Sequence, residues 1–130
     1  MEDNRNDLVV IVAGYSELMP QLINSNPGLK SRFNKYIHFP DYSGDELFRI
    51  LDNLAQSNDY VMTDSTQSAL KDYFRNIYQT RSVGFGNARD VRNLFEKMIT
   101  KQANRIVQLT SPTDTDIRTI TIHDFEEATK

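Results

Sequence analysis

The spacing of hydrophobic residues divides the chain into two parts. In the first part the apolar residues form two continuous runs, LVVIVAG at Leu8–Gly14 and YIHF at Tyr36–Phe39. A continuous β-branched and apolar run is typical of a strand buried on both faces, as in a parallel sheet covered by helices. Two strands cannot bury a sheet, so we expect the chain to begin in the middle of an α/β domain.

A short helix and a turn are predicted between these runs. The segment SELMPQLIN has its apolar residues on one side, with Ser16 as a possible N-cap. The NPG sequence at Asn26–Gly28 should end that helix, because proline disfavours helical backbone in the residue before it and glycine can adopt positive φ. Arg32 would then lie between a tight turn and the strand at Tyr36–Phe39.

From Ser43 onward the apolar residues follow helical spacing. Ser43 and Glu46 have the spacing of a capping box, which predicts a helix over residues 44–57. The elements predicted after it are a helix that starts at Thr63 or Asp64, a helix from about Asn87 to Leu109, a short strand in IRTITI and a last short helix that starts in HDFEEA. In the helix predicted from about Asn87 to Leu109, the residues expected to face inward are Ala88, Val91, Phe95, Met98, Ala103 and Ile106.

Composition and charge narrow the class of protein. Of the 130 residues 38% are hydrophobic and 25% charged, a globular rather than a disordered profile. A net charge of −3 gives no polybasic signature for nucleic acid or an anionic membrane, and the longest apolar run is too short to span a bilayer. With no cysteine and two histidines, disulfides, thiolate sites and histidine-rich metal sites are excluded. The acidic start MEDNRND is not a signal peptide, which favours a cytoplasmic protein.

Arg32 is the first candidate for chemistry, and it has two interpretations. It is either a solvated arginine in a helix-to-strand connection, as most surface charges are, or an arginine that reaches the phosphates of a nucleotide on another molecule. A guanidinium suits the second task, because it is always charged and presents a planar fork of donors.

Arg89 and Arg92 form the second candidate. They are three residues apart near a helix N-terminus, so they project from one face. Cations beside the positive end of a helix dipole are unfavourable by about a few tenths of a kcal/mol each, which Asp90 can partly offset and a bound anion would offset better. The sequence leaves a solvated face and an anion site as alternatives.

The other polar candidates are weaker. Tyr15 and Ser16 end the predicted buried strand, where ligands of open α/β sheets usually bind, although a plain strand-to-helix turn explains them equally well. His38 is interpreted as structural, and Asp41 with Tyr42 as a linker. The sequence contains no carboxylate pair placed for acid–base chemistry, no nucleophile elbow and no phosphate-binding glycine loop.

Four blocks in order carry a family resemblance: VVIVAGY, SNPGLKSRF, IHFPDYSGDEL and FGNARDVRNLFE, followed by ITIHDFEEA. Together they resemble the latter part of an AAA+ ATPase module, closest to the branch of red-type rubisco activase and stage V sporulation protein K. The resemblance covers nearly the whole chain. It implies that residues 1–42 are the C-terminal part of an α/β core, the end of a P-loop-type parallel sheet, and that residues 43–130 are an all-α lid bundle with a short strand near the C-terminus.

The resemblance also implies roles for individual residues. Arg32 matches the arginine finger, which reaches the γ-phosphate of ATP bound by the neighbouring subunit. Arg89 matches the sensor-2 arginine of the lid, with Arg92 as a second candidate on the same face. Tyr15 occupies the sensor-1 position, where the family usually has a small polar residue such as Asn or Thr.

Two motifs of the family are absent from these 130 residues: the P-loop G-x-x-x-x-G-K-[ST] and a hydrophobic strand that ends in the acidic pair for Mg²⁺. The resemblance therefore implies a C-terminal fragment that is inactive alone, with Met1 as an internal methionine of the parent and MEDNRND as the frayed end of a preceding helix. ATP and Mg²⁺ would bind to the intact parent and not tightly to this chain. The implied partners are like subunits of a hexameric ring and a protein client, with no nucleic acid and no membrane.

Two other hypotheses remain open at this point. One is a stand-alone helical module that binds a protein partner and no nucleotide. The other is nucleic-acid binding through the Arg- and Lys-bearing helix predicted from Asn87 to Leu109, against which the acidic balance of the chain argues.

Overall fold

The computed structural model describes residues 8–130, so the expected helix end in MEDNRND lies outside the described residues. The chain forms two compact units, one that ends at Pro40 and one that runs from Asp41 to Lys130. The elements follow in the order α1 (Met19–Asn24), α2 (Pro27–Arg32), α3 (Gly44–Ser57), β1 (Val61–Met62), α4 (Asp64–Thr80), α5 (Ala88–Ile106), α6 (Asp114–Arg118), β2 (Thr119–Ile120) and α7 (Ile122–Thr129).

The two apolar runs of the first unit form no strand within residues 8–130, which differs from the sequence-based expectation. Val9, Ile11 and Phe39 are each 85% exposed rather than buried. A strand needs a neighbour that exchanges backbone hydrogen bonds with it, and the described residues provide no such neighbour beside either run.

The two short helices of the first unit correct one local prediction and extend another. Helix α1 ends at Asn24, before the NPG sequence, as expected, but NPG also begins a second helix. Helix α1 begins at Met19 with Leu18 as its N-cap, and the predicted cap Ser16 instead has its Oγ 3.3 Å from Nδ1 of His38. The NPG sequence starts helix α2, because Asn26 is extended and its Oδ1 accepts a hydrogen bond from the Gly28 N–H at 2.8 Å. Proline fits the first helical position, where its missing N–H would have no helical partner in any case.

The second unit is built around a hydrophobic core between α3, α4, α5 and α7, which pack against one another. The largest of its fully buried apolar side chains come from three helices and β2: Leu47, Leu51, Leu70, Val91, Met98 and Ile120. The predicted helical bundle with a short strand near the C-terminus is confirmed.

Local capping decides where the first two helices of this bundle begin. Ser43 and Glu46 form the predicted capping box, in which the Ser43 N–H donates to Oε2 of Glu46 at 2.8 Å. This hydrogen bond, together with that from the Ser43 side chain, lowers the pKa of Glu46. Thr63 caps α4, and its side chain accepts a hydrogen bond from the backbone N–H of Thr66.

The strand predicted in IRTITI is shorter than expected. Thr113 and Asp116 form a second capping box, so the residues before Thr119 belong to helix α6. Strand β2 is limited to Thr119 and Ile120, which pair in parallel with Val61 and Met62 of β1, a strand that the hydrophobic pattern did not predict.

Helix α5 corrects one inward position. Ala103 is exposed, whereas Gln102 is buried, and its Nε2 donates to the carbonyl oxygen of Ile117 at 2.5 Å. The polar side chain is accommodated in the core because its amide satisfies a carbonyl at the end of α6.

A buried ion pair joins the last part of the bundle. The guanidinium of Arg105, near the end of α5, donates to both carboxylate oxygens of Asp124 at 2.9 and 3.0 Å and to the Thr119 carbonyl at 2.9 Å. The backbone N–H of Thr121 also donates to Asp124, at 2.8 Å. The side chain of Asp124 is fully buried and that of Arg105 is 24% exposed, so this pair fixes β2 and the start of α7 against α5.

The ion pair determines the ionisation of Asp124. Burial by itself raises the pKa of this carboxyl group, but the hydrogen bonds from Arg105 and Thr121 outweigh burial and lower the pKa below its ordinary value of 3.8. The carboxylate is therefore charged in the folded bundle at neutral pH.

Helix α3 lies against the backbone of α4 at a glycine. A Cβ at Gly44 would lie 2.7 Å from Cα and 2.8 Å from the backbone N of Arg75. Because both of these atoms belong to the backbone, a methyl group could be accommodated only if the two helices moved apart.

Gly44→Ala is therefore expected to lower the free energy of unfolding by about 1–3 kcal/mol, the usual range for overpacking. Urea denaturation followed by circular dichroism measures this change. The matched control is Asn53→Ala at an exposed position of the same helix, for which a change within about 0.5 kcal/mol is expected. An equally small change for Gly44→Ala would contradict the close contact.

Arg105→Met is expected to lower the free energy of unfolding by about 3–5 kcal/mol, because it leaves the buried Asp124 carboxylate without its ion-pair partner. Lys97→Met, at an exposed position of the same helix, is the control.

The folded-state pKa of Asp124 is lowered, so its stabilising contribution is present above pH 3.8 and is lost as the pH falls through the folded-state value. Denaturation from about pH 2 to pH 6 should thus give a weaker acid dependence for Asp124→Asn than for the unsubstituted chain, and equal dependences would contradict this assignment.

Candidate functional site

The structure brings two of the predicted site residues together at the start of α5. Arg89 is the second and Arg92 the fifth residue of this helix, and both side chains are exposed. Val91 and Leu94 of the same turns are buried in the core. The core contacts fix the helix and leave both guanidinium groups on its solvent face.

The turn before α5 is held by a carboxylate. Oδ2 of Asp90 accepts a hydrogen bond from the Gly86 N–H at 2.8 Å, and a Cβ at Gly86 would lie only 2.2 Å from Oδ1 of Asp90. The Arg89 N–H donates to the Gly86 carbonyl at 3.0 Å. Asp90 is thus engaged with the backbone of the turn, and a side chain at position 86 would require its carboxylate to shift.

The charges at this helix end favour an anion. Within residues 8–130, neither Arg89 nor Arg92 has a carboxylate within ion-pair distance, in contrast to Arg75, Arg81 and Arg105. Two guanidinium groups add to the partial positive charge of the helix N-terminus. The arrangement is suited to contact with a phosphate group.

Arg32 belongs to the first unit, in a different setting from the one the sequence suggested. It is the last residue of the short helix α2, and its Nη1 donates to the carbonyl oxygen of Gly28 at 3.1 Å. Extended backbone begins at Phe33. The segment that carries this exposed arginine is therefore a short capped helix, and not only a tight turn before extended backbone.

Tyr15 lies at a turn in the same unit. Its carbonyl oxygen accepts hydrogen bonds from the N–H groups of Leu18 and Met19, both at 3.0 Å, while its side chain is 74% exposed. The backbone of Tyr15 organises the start of α1, and its phenol is accessible.

A polar network beside Arg89 was not predicted. The side chain of Asn87 accepts a hydrogen bond from the Tyr42 N–H at 2.9 Å and donates to Asp41 at 2.6 Å. Asp41 also pairs with Nε of Arg81 at 3.0 Å. The sequence feature that could have indicated this network is the asparagine after two glycines in GFGN, because such a composition allows unusual backbone conformations.

The described part of the chain has neither a cluster of metal-binding side chains nor a helix that could span a membrane. Among residues 8–130, no group of three or more His, Asp or Glu side chains could hold a metal ion. No helix in that range is long and apolar enough to cross a bilayer.

Among protein families, the AAA lid domain model matches residues 43–130. The chain belongs to the AAA lid domain family. The lid match begins at Ser43, the N-cap of α3, and includes the helix that carries Arg89 and Arg92.

Curated relatives support the same assignment. The chain is 41% identical over 111 residues to protein CbbX of Cereibacter sphaeroides, which covers 85% of this chain and 35% of that protein. It is 38% identical over 126 residues to stage V sporulation protein K of Bacillus subtilis, which covers 96% of this chain and 39% of that protein. It is 40% identical over 106 residues to the chloroplastic ribulose bisphosphate carboxylase/oxygenase activase of Cyanidioschyzon merolae, which covers 82% of this chain and 36% of that protein.

The chain thus spans little more than a third of the length of these relatives. The resemblance to the activase and sporulation-protein branch is confirmed.

Arg89→Ala is expected to leave the free energy of unfolding unchanged or to raise it by about a few tenths of a kcal/mol, because it removes a cation from the positive end of α5. Chemical denaturation of the 130-residue chain measures this change. Asp90→Ala, one residue further along, should have the opposite effect, a loss of about 1 kcal/mol, because the Gly86 N–H loses the carboxylate that accepts its hydrogen bond. A loss of about 1 kcal/mol or more for Arg89→Ala would mean that this arginine has a structural role.

Proposed function

We propose that this chain is the C-terminal part of a cytoplasmic AAA+ ATPase that forms a ring and uses ATP hydrolysis to remodel a protein client. The observation that carries the proposal is the pair Arg89 and Arg92, exposed at the N-terminus of α5 within a lid of the AAA family. A helix end with two guanidinium groups and no carboxylate partner in the described residues suits a nucleotide phosphate.

Arg89 is proposed as the sensor-2 residue, with Arg92 as a second contact. A phosphate oxygen on the solvent face of α5 would offset the unfavourable placing of two cations beside a positive helix end. The lid would then respond to the nucleotide through α5, whose opposite face is packed in the core.

Arg32 is proposed as an arginine finger that acts on the nucleotide of a neighbouring subunit. A finger must be exposed and carried by backbone of defined shape, and the capped turn of α2 with its proline in the first position meets both requirements. Because each active site would need its neighbour, ATP turnover would depend on ring assembly.

The remaining ATPase parts are proposed to lie outside these 130 residues. ATP requires a phosphate-binding loop and Mg²⁺ requires carboxylates, and the sequence contains neither motif. The arginines of this chain fit contacts with phosphate. We therefore expect the chain by itself not to hydrolyse ATP.

Residues 1–42 are proposed to complete the α/β core of the parent protein. The apolar runs at 8–14 and 36–39, which are exposed here, would become strands when neighbouring strands supply their backbone partners. An upstream coding sequence for G-x-x-x-x-G-K-[ST] would support this assignment, and its absence would favour a helical module that binds no nucleotide.

In the parent ATPase, Arg32→Ala is expected to lower ATP turnover by about 10³-fold or more while ATP still binds and the ring still forms. Steady-state turnover, nucleotide affinity and sedimentation measure these three properties. Arg118→Ala, at an exposed position of α6, is the control and should leave all three unchanged. Unchanged turnover for Arg32→Ala would contradict the finger assignment.

Mixing two inactive subunits tests whether the finger acts in trans. One subunit carries Arg32→Ala, and the other carries a substitution of its P-loop lysine. In a mixed ring, an intact P-loop can lie beside an intact Arg32, so partial recovery of turnover is expected. A finger that acted within its own subunit would give no recovery.

A further inference from the structure

Asn87 has a backbone conformation that is unfavourable for a residue with a side chain. Its φ is 53° and its ψ is −126°, well away from the left-handed helical region in which asparagine is usually tolerated. Strained residues of this kind persist only where surrounding contacts hold them. As the N-cap of α5, Asn87 would normally bond its own helix, yet its side chain makes no such capping bond.

The side chain is instead turned to a segment far away in the sequence. Its Oδ1 accepts a hydrogen bond from the backbone N–H of Tyr42 at 2.9 Å, and its Nδ2 donates to Oδ1 of Asp41 at 2.6 Å. Both ends of the amide are used, one as acceptor and one as donor. Asparagine is the shortest side chain that offers a donor and an acceptor on two separate atoms.

A second contact holds Asp41 in place. Its Oδ2 pairs with Nε of Arg81, just after α4, at 3.0 Å. The Arg81 guanidinium in turn lies 3.9 Å from the centre of the Tyr78 ring and donates to the Tyr78 carbonyl. The segment 41–42 is therefore tied at once to the start of α5 and to the end of α4.

We propose that Asn87 is a positioning residue that fixes segment 41–42 to the start of α5, so that the direction of this segment and the place of Arg89 are set together. The inference rests on the proposed function, in which segment 41–42 leads from the core into the lid and Arg89 contacts the nucleotide. Arg89 lies two residues after Asn87, with its N–H bonded to Gly86. A displacement of Arg89 by a nucleotide phosphate is therefore passed to segment 41–42 through a single side chain.

The first test separates the bridge from ordinary stability. Asn87→Gly relieves the backbone strain and removes the amide, so the free energy of unfolding should stay the same or rise. Hydrogen exchange of the Tyr42 amide, measured by NMR on the 130-residue chain, should become about fivefold faster, the factor expected for one lost hydrogen bond. The Tyr60 amide, which donates to Ala55, is the internal control and should not change. Unchanged exchange at Tyr42 would overturn the bridge.

A swap of the two side chains provides a rescue. Asn87→Asp alone replaces the donor to Asp41 by a second carboxylate. Repulsion between the two carboxylates should separate these side chains and speed the exchange of the Tyr42 amide. Combining it with Asp41→Asn restores one donor and one acceptor with the same net charge, and exchange should return close to its original rate. A double variant that exchanges as fast as Asn87→Asp would also overturn the bridge.

The second test asks whether Asn87 acts through Arg89 in the parent ATPase. Asn87→Gly should weaken ATP binding about fivefold, the same factor as for the lost hydrogen bond, but should have no further effect when Arg89→Ala is already present. If Arg89→Ala weakens binding and Asn87→Gly does not, the positioning role is wrong and the proposed function stands. If Arg89→Ala leaves ATP affinity unchanged, the positioning role and the proposed function both fail. If the effects of Asn87→Gly and Arg89→Ala on ATP affinity simply add, Asn87 does not act through Arg89.

Discussion

The ion pair between Arg105 and Asp124 is the constraint on which the rest of the lid depends. A fully buried carboxylate is very costly unless it is neutralised and hydrogen-bonded, and Asp124 receives donors from Arg105 and from the backbone of Thr121. The same guanidinium binds the carbonyl of Thr119. The end of α5, strand β2 and the start of α7 must therefore meet at one point if the charge is to be tolerated.

This requirement also constrains the other end of α5, which carries the proposed nucleotide contacts. The helix is a 19-residue rod with Arg105 in its last turn and Arg89 in its first. Its middle is fixed by buried side chains such as Val91 and Met98, and its start is tied to segment 41–42 through Asn87. Arg89 and Arg92 therefore project from a helix that is held along its length. Long, flexible arginine side chains lose less precision when the backbone beneath them is fixed in this way.

At the start of α5 the proposed function and the stability of the helix make opposite demands. Two cations at a positive helix end and a strained Asn87 are both unfavourable for folding, while Asp90 and the core contacts offset part of that cost. Departures from the most stable local choice tend to gather where a site is built. In this lid they lie within six residues of one another, on and beside the helix proposed to face the nucleotide.

Much of the lid could be predicted from the sequence, because many of its determinants are local. The capping box of Ser43 and Glu46 and the cap at Thr63 act over three residues, so they fixed the starts of α3 and α4 before any packing was known. The inward stripe of α5 was predicted in the same way and was wrong mainly at Ala103. There the buried residue is Gln102, because a carbonyl of α6 supplies its partner and no spacing rule contains that carbonyl.

The sequence by itself determined the helical lid, the position of its main helices and the choice of Arg32, Arg89 and Arg92 as candidate residues. These follow from residue type and from periodicities of three or four positions, within which side chains on a helix are always neighbours. Only the tertiary structure decided that Arg105 meets Asp124, that Asn87 meets Asp41 and Tyr42, and that β1 pairs with β2. These partners are far apart along the chain, so their contacts come from the packing of whole helices and are not encoded in the spacing of the residues.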